Sequence, residues 1–170
     1  MLSSYFHLSS DYDLEGIWKP RSPTLFEDVK DAKGYSPSMT EPRTPRICLS
    51  PSLEGCFYAI YPNIYSLFEV QKYPHLDFCV YRAYIDDQDQ RFKDNDSLVK
   101  NRTIWDAHVT KEVWYTDDLK MVKSQIIRCT PNQKKLIFAS PFNDPEQESR
   151  FIAPEVKIEV IKRFPGFYSK

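Results

Sequence analysis

Three polar residues of this chain combine useful side-chain chemistry with a position in or beside a predicted strand. His7 lies inside the alternating segment "YFHLSS", Ser50 follows the apolar segment "RICL", and Glu112 precedes "VWY". An imidazole, a hydroxyl and a carboxylate are groups with which proteins donate, accept and transfer protons at a bound substrate. They form a site only if the fold brings their strands together. Each also has a structural alternative, since His7 could satisfy a core contact, Ser50 could cap a helix and Glu112 could be solvated.

Several common catalytic signatures are absent from the sequence. It contains no GxGxxG, GxxxxGK[ST], HExxH or GxSxG motif, which removes the common routes to nucleotide hydrolysis and zinc chemistry. The three histidines and four cysteines show no metal-ligand spacing, so no metal site is predicted. We interpret the cysteines as buried free thiols in a reducing compartment.

Composition predicts one globular domain. The chain has 170 residues, of which 41% are hydrophobic and 15% aromatic, enough to form a core. The formal net charge of -1 gives no global attraction to nucleic acid, which makes a nucleic-acid partner unlikely. No segment approaches the roughly 20 apolar residues of a membrane span, and the first residues do not resemble a signal peptide. We therefore expect a cytoplasmic protein without a membrane association.

Strand-like segments dominate the secondary structure that the sequence predicts. Strands are expected at 4–9, 46–50, 76–86, 111–118, 119–130, 134–140 and 155–164, with a short strand or helical turn at 13–20. A helix is expected after Ser50, which would cap it, and is expected to end at Pro62. Residues 19–45, with five prolines, read as a long loop with one helical turn at 25–32, and 86–103 as a polar surface loop. The predicted fold class is α+β, with a mixed or antiparallel sheet and one or two short helices.

The order of these features resembles the ADP-ribosyltransferase fold in its small phage and toxin branches. Members carry a His or Arg on the first core strand, a Ser, Thr or Tyr where a strand enters a short helix, and an acidic residue at the start of a late strand. The segments that carry the resemblance are "RICLSPSLEGCFYAI" and "CVYRAYI", and it spans roughly residues 4–128.

The resemblance implies NAD as the cofactor and assigns a role to each candidate. Glu112 would be catalytic, stabilising the oxocarbenium-like transition state of nicotinamide–ribose cleavage and holding a ribose hydroxyl. His7 would orient the adenosine-side ribose, and Ser50 or Ser52 would support the nicotinamide ribose or Glu112. Thr110 stands where arginine-directed members carry an acidic or amide residue, which leaves the acceptor open.

Further cofactor contacts are expected from aromatic and basic residues. Tyr58, Tyr81 and Phe57 are candidates to stack on the nicotinamide ring, although core packing is the alternative for each. Arg46 or Arg43 could pair with the pyrophosphate, because a planar guanidinium matches phosphate oxygens.

Two classes of function follow from these expectations. The first is an NAD-dependent ADP-ribosyltransferase-like protein that modifies a host macromolecule, as a phage anti-defence factor would. The second is a non-catalytic phage inhibitor that binds a host or defence protein, with the Pro-rich loop as its binding edge. A binder of a nucleotide signal is a third possibility, since an aromatic-lined pocket suits it equally well.

Overall fold

The computed structural model describes residues 1–22, 43–101, 107–131 and 156–164. Within them lie eight strands and three α-helices, so the predicted α+β class is confirmed. The strands are β1 (Leu2–Ser9), β2 (Gly16–Trp18), β3 (Ile47–Leu49), β4 (Leu76–Asp86), β5 (Phe92–Lys93), β6 (Val113–Tyr115), β7 (Leu119–Pro131) and β8 (Val156–Arg163). The helices are α1 (Leu53–Tyr65), α2 (Asn95–Lys100) and α3 (Ala107–Thr110), and a π-helical segment (Ser66–Val70) continues α1. The predicted helical turn at 25–32, the strand at 134–140 and most of the 19–45 loop lie outside the described residues.

The strands form two antiparallel sheets. The large sheet has the order β1-β4-β7-β2, and β8 also pairs with β7. The small sheet has the order β3-β6-β5. One apolar cluster, with Tyr81 and Met121 at its centre, lies between the two sheets, and a second packs α1 against the opposite face of the large sheet. No helix in the described part of the chain has the length and apolar character needed to cross a membrane.

A pair of backbone hydrogen bonds joins the two sheets where β1 passes the end of β3. The Phe6 amide donates to the Ser50 carbonyl at 2.8 Å, and the Ser50 amide donates to the Phe6 carbonyl at 3.0 Å. A second isolated bridge joins Arg46, just before β3, to Arg21. The strands β6, β3 and β1 are therefore neighbours in that order, and they are the strands on or beside which Glu112, Ser50 and His7 lie.

Helix α1 departs from the prediction at both ends. Its N-cap is Ser52 and not Ser50, because the Ser52 hydroxyl accepts the Gly55 amide hydrogen at 3.1 Å. The helix also continues through Pro62, which costs about 3 kcal/mol in a helix interior. Beyond it, Ile64 and Phe68 are only 2% and 4% exposed. Burying two such side chains contributes about 3–6 kcal/mol, which is enough to carry the helix past the proline.

The segment predicted as a polar loop at 86–103 contains regular structure. Phe92 and Lys93 form β5 on the small sheet, and Phe92 joins the core between the sheets. Helix α2 follows, with Asp94 as its N-cap, because the Asp94 carboxylate accepts the Ser97 amide hydrogen at 2.6 Å. Charged residues surround both elements in the sequence, which is why the apolar positions Phe92 and Leu98 gave too weak a pattern to predict them.

Helix α1 approaches the end of α3 closely at Gly55. A Cβ atom placed on Gly55 would lie 2.2 Å from the Ser50 hydroxyl and 2.3 Å from the Thr110 carbonyl oxygen. The second atom belongs to the backbone and cannot rotate away. Only glycine allows the end of β3, the start of α1 and the end of α3 to meet at this corner.

We predict that Gly55→Ala lowers the free energy of unfolding by about 1–3 kcal/mol, the usual cost of overpacking a close contact. Urea denaturation measures the change. The control is Ala59→Ser at an exposed position on the same helix, which should change stability by less than about 0.5 kcal/mol. Equal stability of Gly55→Ala and the parent would show that α1 and α3 do not meet as described.

Candidate functional site

The backbone of Glu112 is fixed on both sides by polar contacts. Its amide donates to the Thr110 hydroxyl oxygen at 3.3 Å, and its carbonyl accepts from the Asn95 side-chain amide at 3.1 Å. The Asn95 amide also donates to the Ala107 carbonyl at 2.7 Å, which ties α2 to α3. The preceding residue, Lys111, has a φ of 53°, a left-handed conformation that is unfavourable for a side chain with a Cβ atom. The chain therefore turns from α3 into β6 at Lys111.

The Glu112 carboxylate accepts a hydrogen bond from a buried indole. The Trp114 ring nitrogen donates to Glu112 Oε1 at 2.7 Å, and the Arg46 guanidinium lies 4.0 Å from the centre of the Trp114 ring. Trp114 is 3% exposed and Arg46 4% exposed. Cys48 on β3 pairs with Trp114 on the adjacent strand β6. We call Arg46, Cys48, Glu112 and Trp114 the outer-face cluster, because it lies on the face of the small sheet that points away from the large sheet.

The Arg46 guanidinium is stacked on the Trp114 ring. Its Nη1 also donates to the Thr44 carbonyl at 3.2 Å. A buried, stacked guanidinium cannot reach a pyrophosphate in this structure, so the predicted cofactor contact of Arg46 does not fit. The other candidate, Arg43, is exposed.

Cys48 corrects the prediction that all four cysteines are buried. Cys56, Cys79 and Cys129 are buried, whereas Cys48 is exposed. Neighbouring protein atoms nevertheless desolvate the Cys48 thiol and, together with the Glu112 carboxylate, raise its pKa to about 12. The thiol is therefore protonated at neutral pH and is a poor nucleophile.

His7 lies on the opposite face, between the two sheets. Its Nδ1 is 3.0 Å from the Cys48 carbonyl oxygen, and its ring stands edge-on to Trp18 with centroids 4.9 Å apart. The Cys48 carbonyl lies on the edge of β3 between the bridges at Ser50 and Arg46, so the imidazole takes the place of a backbone partner there. Burial lowers the pKa of His7, which keeps the ring neutral with a proton on Nδ1. The structure thus places His7 between the sheets and the Glu112 carboxylate on the outer face, with β3 lying between their strands.

Ser50 and Ser52 both contact the corner where α1 begins. The buried Ser50 hydroxyl donates to the Thr110 carbonyl at 3.2 Å and accepts from the Ser52 amide at 3.4 Å. Ser50 is next to Glu112 across the sheet, because its neighbour Leu49 pairs with Val113. The closely packed Gly55 covers the Ser50 hydroxyl. Ser50 therefore contacts the loop before Glu112 and is not exposed to a ligand, whereas Ser52 caps α1.

The tyrosine candidates lie away from the outer-face cluster. Tyr81 is 0% exposed in the core between the sheets, and its hydroxyl donates to the Asp11 carbonyl and accepts from the Leu14 amide. It therefore cannot stack on a nicotinamide ring, and the prediction is corrected. Phe57 is also core, where it meets Phe78. The Tyr58 hydroxyl donates to Glu54, one turn earlier on α1, at 3.1 Å.

Sequence reasoning missed Trp114, Asn95 and Lys111 as partners of Glu112. Trp114 could have been found, since residues two apart on a strand share a face. Asn95 and Lys111 gave no comparable signal, because their roles depend on α2 and α3, which were not predicted. Among the described residues, no three His, Cys, Asp or Glu side chains are grouped so that they could hold a metal ion.

We predict that His7→Asn flattens the pH dependence of stability between about pH 7.5 and pH 5. The pKa of folded His7 lies below its ordinary value of 6.5, so the unfolded chain binds the proton first and stability falls as the pH decreases through this range. An asparagine amide can still donate to the Cys48 carbonyl but does not titrate. Urea denaturation at several pH values measures the slope, with exposed His75→Asn as the control. An unchanged slope in His7→Asn would exclude His7 as a buried neutral group.

We also predict that Lys111→Gly raises the free energy of unfolding by about 0.5–1 kcal/mol. Glycine relieves a left-handed conformation that costs about 1–2 kcal/mol, and its greater freedom in the unfolded chain offsets part of this gain. The control is Lys111→Ala, which keeps the unfavourable φ and should not stabilise. Equal stabilisation by both variants, measured by thermal unfolding, would point to the lysine charge and not to the backbone.

Comparison with known proteins gives no relative that could supply an assignment. No protein-family model matches the chain, and no curated protein matches it. The case for a function therefore depends on the residues and their geometry.

Proposed function

We propose that this chain is an NAD-dependent ADP-ribosyltransferase-like protein in which Glu112 is the catalytic residue. Support comes from the sequence resemblance and from the neighbouring order of β6, β3 and β1, which carry or adjoin Glu112, Ser50 and His7. As the resemblance suggests, the acceptor is a host macromolecule and the protein acts in the cytoplasm as a phage anti-defence factor.

One observation carries this proposal: Glu112 is held more firmly than a solvated carboxylate requires. It follows a residue in a left-handed conformation, its backbone is bonded to Thr110 and Asn95, and its carboxylate accepts from Trp114. Backbone strain that the surrounding contacts maintain is concentrated at functional sites. A carboxylate fixed in advance stabilises developing positive charge without the cost of reorganisation.

The chemistry assigned to Glu112 is electrostatic. As the bond between ribose C1′ and the nicotinamide nitrogen breaks, its electron pair leaves with nicotinamide and positive charge develops on the sugar. The Glu112 carboxylate stabilises that charge and accepts a hydrogen bond from a ribose hydroxyl. The acceptor then forms a new bond to C1′ and loses its proton.

His7 and Ser50 take structural parts in this proposal. His7 keeps the edge of β3 in place through the Cys48 carbonyl, and Ser50 fixes Thr110, whose hydroxyl bonds to the Glu112 amide. Both are positioning residues, because they act on Glu112 through the backbone and not on the substrate.

We predict that Glu112→Gln reduces transfer of label from NAD to host lysate proteins by at least about 100-fold, because a neutral amide cannot stabilise the charge. The amide can still bond to Trp114, so the thermal shift on adding NAD should persist. Glu159→Gln, at an exposed site on β8, is the matched control and should transfer label like the parent. If the parent transfers no label and NAD causes no thermal shift, the proposed function is wrong.

The surface of β8 supports a second candidate function, a non-catalytic inhibitor that binds a host or defence protein. Every residue from 157 to 163 is exposed, including Ile158, Val160 and Ile161 at 44%, 42% and 46%. Apolar side chains exposed on an edge strand are typical of strand-addition interfaces. The inhibitor predicts other results than the enzyme does. The parent should co-purify with a partner protein and show no thermal shift with NAD. Val160→Lys should no longer co-purify with that partner.

A further inference from the structure

We propose that Trp114, stacked against Arg46, is a positioning residue that holds the Glu112 carboxylate in its working orientation. The inference rests on the proposed function, and it assigns to Arg46 a role different from the phosphate contact that the sequence predicted. It also gives a role to the tryptophan that stands two residues after the candidate catalytic residue.

The first observation is that the Trp114 ring has little freedom to turn. It is 3% exposed and packs with Leu98 of α2 and Ala107 of α3 in one apolar cluster. The Arg46 guanidinium lies over the ring at 4.0 Å from its centre. A cation over a tryptophan face is attracted to it, and more so where water is excluded. The indole N–H direction is therefore fixed by packing on α2 and α3 and by the stacked cation.

The second observation is the contact that this N–H makes. It donates to Glu112 Oε1 at 2.7 Å, a short distance typical of a hydrogen bond to an ionised carboxylate. One carboxylate oxygen is thereby oriented, which limits rotation of the whole group. The indole engages Oε1 only, and the Cys48 thiol is a further side chain that interacts with this carboxylate.

The third observation concerns access. Cys48 is exposed and its thiol lies close enough to Glu112 for the carboxylate to raise the thiol pKa. Glu112 is half-buried and Trp114 is buried, so a sugar would approach the carboxylate from the side away from the indole. Trp114 acts through Glu112 and does not itself contact the substrate.

The test is Trp114→Phe, which keeps an aromatic ring beside Arg46 and removes the indole N–H. We expect kcat for NAD-dependent transfer to fall about 10–100-fold, the effect of losing a hydrogen bond to a charged group, while KM for NAD changes less than about twofold. Tyr115→Phe is the matched control. Tyr115 follows Trp114 on β6 but faces the opposite side of the sheet, and the variant removes only its hydrogen bond to Asp89. It should leave kcat unchanged. A Trp114→Phe enzyme with the parent kcat would overturn the inference.

A second measurement needs no catalytic activity. In a proton–nitrogen NMR spectrum, the Trp114 indole N–H signal of the parent should lie downfield and move upfield in Glu112→Ala. If the parent does not use NAD, the proposed function fails, and the indole signal alone then decides whether Trp114 orients Glu112. A signal that stays at the same position in Glu112→Ala would overturn the positioning role.

Discussion

The pair of backbone hydrogen bonds between Phe6 and Ser50 is the contact on which the rest of the structure depends. It joins β1 of the large sheet to the end of β3 in the small sheet, and one apolar cluster fills the space between the two sheets. The same point is where β3 ends and the chain turns into α1. The next carbonyl along that edge of β3, at Cys48, finds its partner in the His7 ring. The hydrogen bond to this carbonyl gives His7 a structural reason to stand in β1.

From this junction the position of Glu112 follows in short steps. The Ser50 hydroxyl bonds to the Thr110 carbonyl, and the Thr110 hydroxyl receives the Glu112 amide. Gly55 allows α1 to close over this corner. On the outer face, the Arg46–Trp114 stack orients the carboxylate. Burying a guanidinium is costly, and stacking on an indole with a carboxylate nearby offsets part of that cost. Such a buried stack contributes little net stability, which favours a role in orienting the Glu112 carboxylate.

The sequence predicted the parts of the fold whose patterns are local. The long aromatic strand β4 and the alternating strand β7 lie within one residue of their expected bounds. The errors arose where packing between distant segments decides the outcome. Pro62 does not end α1, because Ile64 and Phe68 are buried beyond it. The charged residues around Phe92 and Leu98 obscured the apolar pattern of this segment, so β5 and α2 were not predicted. The site shows the same division. Ser50, Glu112 and His7 were expected to meet at one site; Ser50 and Glu112 are neighbours across β3 and β6, but the face that each side chain occupies depends on the core. That is why Tyr81 proved to be core and Arg46 proved to be stacked.

The most direct test is a crystal structure of the protein with NAD, because the proposed function requires a defined position of the Glu112 carboxylate relative to the nicotinamide ribose. We expect a ribose hydroxyl of the nicotinamide side to lie about 2.6–3.2 Å from a Glu112 carboxylate oxygen, with the sugar on the side away from Trp114 and the indole still bonded to the other oxygen. A dinucleotide bound elsewhere, with Glu112 facing only solvent, would contradict it.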